Sequence, residues 1–179
     1  MHALIVGANG TGKTTLIQGV LLALGRPVSG FETKKEDALA DANGSPIYIY
    51  EAGKPRRQSP ENLVGCCRDR RAVPVCAGFD RFARQFSLPE KGNCVVVMDE
   101  IGFLESRSPL FCDLILSLLD GNRPVLAAVR DKDTPFLRAV RAHPKARCFF
   151  LTPENRDSLS REVLEFMKAQ LEESPCVFP

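Results

Sequence analysis

The chain of 179 residues has no tryptophan and only two tyrosines, so aliphatic residues and its 11 phenylalanines must fill the interior. Charge of either sign is not in excess: 24 Lys and Arg against 22 Asp and Glu leave +2, too little to require a polyanionic partner. No apolar run approaches the roughly 20 residues that span a bilayer, so no membrane partner is expected. The opening residues, Met1 to Val6, are too short for a signal-peptide core, and a cytoplasmic protein is expected. Internal repeats and low-complexity tracts are missing. Cysteine is the one unusual count, at seven. No pair among Cys66, Cys67, Cys76, Cys94, Cys112, Cys148 and Cys176 has the two-residue spacing of a zinc or redox motif. They read as reduced thiols, with Cys94, Cys112 and Cys148 in or beside apolar segments as small hydrophobes. The adjacent pair Cys66-Cys67 leaves a reactive role open.

With 44% apolar and 26% charged residues, the chain reads as one soluble domain, residues 1–173, with a surface tail over 174–179. Ala3 to Val6 is a short apolar run ending at Gly7, the pattern of a buried strand. A helix follows from Lys13, with Leu16, Val20, Leu21 and Leu24 on one face and Gly25 past its end. Val95-Val96-Val97-Met98 is a second buried strand. Ser108 caps a helix starting at Pro109 and stopping at Gly121. A strand over Pro124–Val129, a short helix opened by Thr134-Pro135, a strand at Cys148–Leu151 and a helix from Arg156 to Leu171 complete the pattern. Such alternation predicts an α/β fold, a mostly parallel sheet flanked by helices. The middle is less regular. Ile47–Tyr50 reads as a strand after the turn signal Asn43-Gly44, and Phe31–Lys35 pairs with it as a hairpin at the sheet edge. Lys54 to Pro60 reads as an exposed loop.

The segment between the first strand and first helix carries the chemistry. Gly7-Ala8-Asn9-Gly10-Thr11-Gly12-Lys13-Thr14 is a P-loop, followed by Thr15. Its glycines let the backbone wrap N–H groups around phosphates without side-chain crowding. The helix adds the positive end of its dipole. Lys13 is placed to bridge β- and γ-phosphates, and the Thr14 hydroxyl to ligate Mg²⁺. The four fixed positions recur by chance in under about 1% of chains this size. A nucleoside triphosphate with Mg²⁺ is therefore the expected ligand.

Val95-Val96-Val97-Met98-Asp99-Glu100 puts a carboxylate at the end of a buried strand. Asp99 is thus a Mg²⁺ ligand through the metal's water shell, although strand-end carboxylates also serve as loop caps. Glu100, one residue on, is placed to take a proton from water attacking the γ-phosphorus.

These segments resemble a known family. Gly7–Thr15, Gly30-Phe31-Glu32-Thr33, Val95–Gly102 with Leu104-Glu105, Pro124–Val129 and Thr152-Pro153-Glu154-Asn155-Arg156 occur in the order seen in the THEP-type, or cancer-related, nucleoside-triphosphatases. Asp99-Glu100-Ile101-Gly102-Phe103-Leu104-Glu105 is similar to that family's Asp-Glu-Ile-Gly-x-Met-Glu signature, and Glu154-Asn155-Arg156 to its Glu-Asn-Arg. The resemblance implies a RecA-like P-loop fold and slow hydrolysis of several NTPs to NDP and phosphate. It also implies nucleotide-binding segments at the P-loop and at Val95–Gly102, which adds Ile101 and Gly102 to the candidate site. Members usually carry an arginine and a Gly-rich, Arg-containing hairpin after Gly-Phe-x-Thr. Here Lys34 and Lys35 are the only cations in that stretch.

Several residues keep two readings. Arg130 is either a γ-phosphate sensor at the strand-end edge of the sheet or a surface salt-bridge partner. Arg56, Arg57, Arg68, Arg70 and Arg71 form a solvated loop, a lid over phosphates, or a nucleic-acid contact, which is the least favoured. Asn155 either caps the last helix or belongs to the nucleotide site, where Arg156 is placed to stack on the base. His2 and His143 lack ligand spacing and read as solvated or packing residues. Asp131-Lys132-Asp133 does not match the Asn-Lys-x-Asp pattern that reads guanine, so ATP, GTP and pyrimidine triphosphates are all expected substrates. Besides hydrolysis, two other classes stay open: a kinase of a small molecule, and a nucleotide-dependent interaction module.

Overall fold

The structure, a computed structural model, describes residues 1–69, 71–89 and 94–172. The expected tail, Cys176 and Arg70 lie outside the described residues. Eight strands form one sheet: β1 His2–Gly7, β2 Val28–Lys35, β3 Ser45–Glu51, β4 Leu63–Arg68, β5 Arg71–Pro74, β6 Val95–Ile101, β7 Val125–Arg130 and β8 Ala146–Phe150. Their order is β5-β4-β3-β2-β6-β7-β1-β8. Strands β2, β6, β7, β1 and β8 run parallel, and β3, β4 and β5 extend the sheet in antiparallel steps beyond β2.

The described helices are α1 Lys13–Leu24, α2 Cys76–Gln85, α3 Pro109–Asp120, α4 Pro135–Arg141 and α5 Arg156–Glu172. They cover both faces. Alternate residues of β1 feed two cores, because successive side chains of a strand point to opposite sides. Ala3 and Ile5 pack with α1 and α5, while Leu4 and Val6 pack with residues of α2, α3 and α4. The expected local signals operate. The Ser108 hydroxyl accepts the Phe111 N–H and Pro109 opens α3. Thr134 accepts the Leu137 N–H at the start of α4. Gly25 ends α1 in the left-handed conformation.

The middle of the chain holds more structure than its pattern suggests. β2 and β3 do pair as a hairpin, with Thr33 opposite Ile49. Yet β2 is an interior strand, seated between β3 and β6, and β5 is the edge. Gly30 explains how β2 reaches that place. Its φ is +112°, and a Cβ there would stand 2.0 Å from the Val97 carbonyl oxygen of β6. The strands β4 and β5 and helix α2 were not foreseen. β4 and β5 total ten residues of a hairpin, and α2 docks through buried Gly78 and Phe79.

β6 also runs further than Met98. Its pairing with β7 is regular from Val96 to Met98 and resumes only at Ile101 with Val129. Asp99 and Glu100 occupy the irregular step between.

Candidate active site

The site lies at the C-terminal ends of the parallel strands, where β1, β6 and β7 stop together. β1 ends at Gly7, and the chain turns through the loop into α1. Gly10 and Gly12 have φ of +77° and +95°, a region that other residues enter only with strain. Asn9 and Gly10 are exposed at the tip, as is Thr15 on the first turn of α1. The Thr11 hydroxyl donates to the Ala8 carbonyl at 3.0 Å and so braces the turn.

Lys13 is 4% exposed, and its ammonium donates to the carbonyls of Gly7 at 2.9 Å and Ala8 at 2.8 Å. It also stands 4.0 Å from Glu100. Burial holds its pKa below the usual lysine value; Glu100 opposes that shift and Arg130 adds to it. Both bonds fold this cation back on its own loop.

Asp99 gathers two partners. Thr14 donates its hydroxyl to one carboxylate oxygen at 3.0 Å, and Lys34 donates its ammonium to the other at 3.0 Å. Thr14 and Asp99, paired on spacing alone, are thus neighbours. Among the described residues no three His, Cys, Asp or Glu side chains cluster as a ready cation cage. A hydroxyl beside one carboxylate instead suits Mg²⁺, which binds through one or two carboxylates, substrate phosphates and retained water.

Glu100 faces the same space. Arg130, the last residue of β7, donates its Nε–H to Glu100 at 2.5 Å. Both readings of Arg130 therefore contain part of the geometry: it forms a salt bridge, and the partner is the candidate base. The carboxylates stand on β6, which is separated from β1 by β7. The side chains span that separation: Thr14 meets Asp99 at 3.0 Å and Lys13 stands 4.0 Å from Glu100.

The other expected residues divide. Arg156 opens α5 and donates to the Thr11 carbonyl at 3.1 Å, with its guanidinium packed on Gly12, so it does meet the loop. Asn155 does not: its side chain accepts the Thr152 N–H and donates to the Phe150 carbonyl, bracing the approach to α5. Its carbonyl accepts the Leu159 N–H, so it holds the position of a cap while its side chain turns back to the preceding loop. Ile101 is fully buried in the core, which leaves only its backbone near the site. Gly102 donates its N–H to Glu105 at 2.9 Å.

The basic stretch does not act as one group. Arg56 pairs with Glu32 and lies over the Tyr50 ring, Arg57 is exposed, and Arg68 and Arg71 are exposed register partners at the end of the β4–β5 pair. His2 is a packing residue. Its Nε2 lies 2.7 Å from the Leu119 carbonyl and its Nδ1 3.2 Å from the Val125 N–H, and burial lowers its pKa to about 4.

Two features escaped the sequence. Lys34 reaches Asp99, although only the cationic character of its stretch was visible. Glu105 is 4% exposed, with its carboxyl pushed up by burial to about 7. It lines a cavity of about 510 Å³ with Asn9, Glu100, Arg130, Thr33 and Leu104. Period-two alternation along Thr33-Lys34-Lys35 was the available signal: it places Thr33 and Lys35 on the cavity side and Lys34 on the other.

Residues 2–164 match a family model described as NTPase. Nucleoside-triphosphatase THEP1 of Thermofilum pendens is 36% identical, over 89% of this chain and 93% of the relative. The cancer-related nucleoside-triphosphatase homolog of Bos taurus is 28% identical, over 94% of this chain and 97% of its own. The crystal structure of THEP1 from Aquifex aeolicus superposes with a TM-score of 0.70 at 23% identity, covering 94% of this chain and 99% of that one, which shows a shared fold.

Proposed function

The chain belongs to the NTPase family of nucleoside-triphosphatases, and we propose that it cleaves the β–γ bond of a Mg²⁺-bound nucleoside triphosphate with Glu100 as the base that activates water. The carrying observation is the placement of Glu100: beside the P-loop, 4.0 Å from Lys13 and paired with Arg130. A carboxylate at that place is within reach of a water in line with the γ-phosphorus.

Each residue then has one task. The loop amides from Ala8 to Thr14 and the α1 N-terminus hold the phosphate oxygens. Lys13 leaves the Gly7 and Ala8 carbonyls for the β- and γ-phosphates, so its resting bonds are exchanged rather than lost. Thr14 and Asp99 would hold Mg²⁺, which would supply charge neutralisation on the phosphates. Lys34, paired with Asp99 at 3.0 Å, would be the cation of β2 available to phosphate oxygens beside that site. Glu100 accepts the proton of the attacking water, and Arg130 beside it meets the charge spread over the γ-oxygens. Arg156 steadies the loop from behind. Asp131, Lys132 and Asp133 supply no guanine-reading pattern, and the reading covers ATP, GTP and pyrimidine triphosphates alike. Among the described residues no helix is long and apolar enough to cross a membrane. Six free cysteines among them suit a reducing, cytoplasmic setting.

Glu100→Gln tests the assignment, because it keeps shape and removes the base. Phosphate release without added acceptor, measured for each common NTP, is expected to fall by about 10²–10⁴-fold in kcat. Mg-NTP binding measured by calorimetry stays near the parental value. Parental turnover in this variant would sink the role of Glu100.

A further inference from the structure

Hydrolysis needs room for one water beside the γ-phosphate, whose share of liquid volume is about 30 Å³. The cavity that Glu100 faces holds about 510 Å³, a volume typical of small-molecule sites, which run to roughly 300–1,000 Å³. It extends from Asn9, Glu100 and Arg130 away from the P-loop and toward β3 and β5, where Ile47 and Ala72 form the far wall.

The lining indicates what fits. The Thr33 hydroxyl is buried and has no hydrogen-bond partner, the sole buried side-chain nitrogen or oxygen in that state among the described residues. An unpartnered buried hydroxyl is costly, and Thr33 stands in the cavity wall, where a turn about χ1 would bring that oxygen to a ligand able to hydrogen-bond it. Glu105 lies on the same wall and, with a pKa raised to about 7, is part protonated at neutral pH and able to donate as well as accept. Among the lining residues Lys35 and Arg130 are cationic and Glu100 and Glu105 carry carboxyls, with Asp37 2.9 Å from Lys35, so the wall has no excess of positive charge to draw an anionic ligand. Ile47, Ala72 and Leu104 offer apolar surface between the polar points.

We propose that this cavity is a binding site for a small neutral polyhydroxyl compound, one of whose hydroxyls takes the place of the attacking water and receives the γ-phosphoryl group. The inference rests on Glu100 acting as the base. The hydroxyl oxygen bonds to the γ-phosphorus as the bond from that phosphorus to the β–γ bridging oxygen breaks. The bridging oxygen leaves on NDP with the electron pair, and the hydroxyl proton passes to Glu100 and then to solvent. The products are a phosphate monoester and NDP, and no other reactant is needed.

The probes are glycerol and D-ribose, added in increasing amounts to the full chain with Mg-ATP. Phosphorus NMR reads the fraction of γ-phosphate that ends as monoester rather than inorganic phosphate. A bound acceptor makes that fraction rise and saturate, exceeding the molar ratio of alcohol to water by about tenfold or more before saturation. Thr33→Val removes one neutral hydrogen bond and lowers the fraction by about three- to tenfold. Ala72→Trp fills the far wall and abolishes it. Because the readout is a fraction of total turnover, a change in overall rate does not disturb it. A monoester fraction that is zero for both probes, or strictly proportional to alcohol, overturns the proposal, as does one that both variants leave unchanged. Absence of NDP in every mixture would instead remove the reading of Glu100, and this one with it.

Discussion

On one side of β2, strands β6, β7 and β1 are covered by helices on both faces: all of β1, and Val95 to Asp99 of β6, are buried. On the other side, β5 alternates between exposed and half-buried residues, β4 has only Val64 and Gly65 buried, and Val73 of β5 is 63% exposed. The groups proposed to meet phosphate and metal come mainly from the first side: the loop after β1, the carboxylates on β6, the arginine ending β7. The second side supplies only the far wall of the cavity. A parallel sheet buried on both faces fixes strand ends closely, because every neighbour is packed. An antiparallel extension with one solvated face fixes less, which suits a wall that selects a ligand. The proposed chemistry and the proposed selectivity thus sit on opposite sides of one shared strand.

That strand is the place to break the comparison. Gly30→Ala forces a Cβ against the Val97 carbonyl at a positive φ, and the left-handed strain and overpacking together are expected to cost about 2–5 kcal/mol. Urea unfolding measures the loss. Hydrogen exchange then shows whether the two sides come apart together; protection retained in β1, β6 and β7 alone would show that the extension folds as a separate unit.

A pair of buried groups sharpens the comparison through pH. His2, on β1, has its pKa lowered from 6.5 to about 4. The unfolded chain therefore takes up a proton first, and stability falls as pH drops from about 6.5 to 4. Glu105, beside the cavity, has its pKa raised from 4.5 to about 7. The folded chain keeps that proton longer, so its contribution is lost as pH rises from about 4.5 to 7. Each effect is of order 3 kcal/mol across its window, and between pH 4.5 and 6.5 they oppose one another. His2→Gln should leave stability that falls with rising pH, and Glu105→Gln stability that falls with acidification. Melting temperatures across this range check both signs.

Lys13→Ala removes charged hydrogen bonds worth about 1.5–3 kcal/mol each, and Mg-NTP affinity should fall at least tenfold by calorimetry. The smallest effect is expected on the far side. Neutralising Arg56, Arg57, Arg68 and Arg71 together should move stability by no more than about 1 kcal/mol, since they are exposed and the Arg56–Glu32 pair is solvated. A clear rise in KM for NTP would restore the lid reading, and a steep salt-dependent affinity for RNA would give the stretch a different partner.

What could be read in advance follows the same division. Val95 to Met98 announced a buried strand because four successive apolar residues fit only a strand covered on both faces. Ser108-Pro109, Thr134-Pro135 and Gly25 announced helix ends because capping is a local hydrogen-bond requirement. Leu63 to Pro74 announced little: Gly65-Cys66-Cys67-Arg68 has a weak alternation, and its pairing depends on a hairpin turn and on α2 docking from outside. Asn155 was ambiguous since a short amide side chain serves a cap, a loop or a ligand equally well.

The sequence by itself determined the P-loop, the order of parallel strands and helices along the chain, and the carboxylate pair that follows Val95–Met98. Backbone wrapping around phosphate, capping and burial periodicity all act over a few residues and leave a local trace. Only the tertiary structure decided that β7 lies between the loop and the carboxylates, that Lys34 reaches Asp99 and Arg130 reaches Glu100, and that Thr33 and Glu105 face one cavity. Those contacts join residues 30 or more positions apart, except within the cavity wall itself. Their distances are set by strand order and register, which packing across the whole sheet fixes and no short segment encodes.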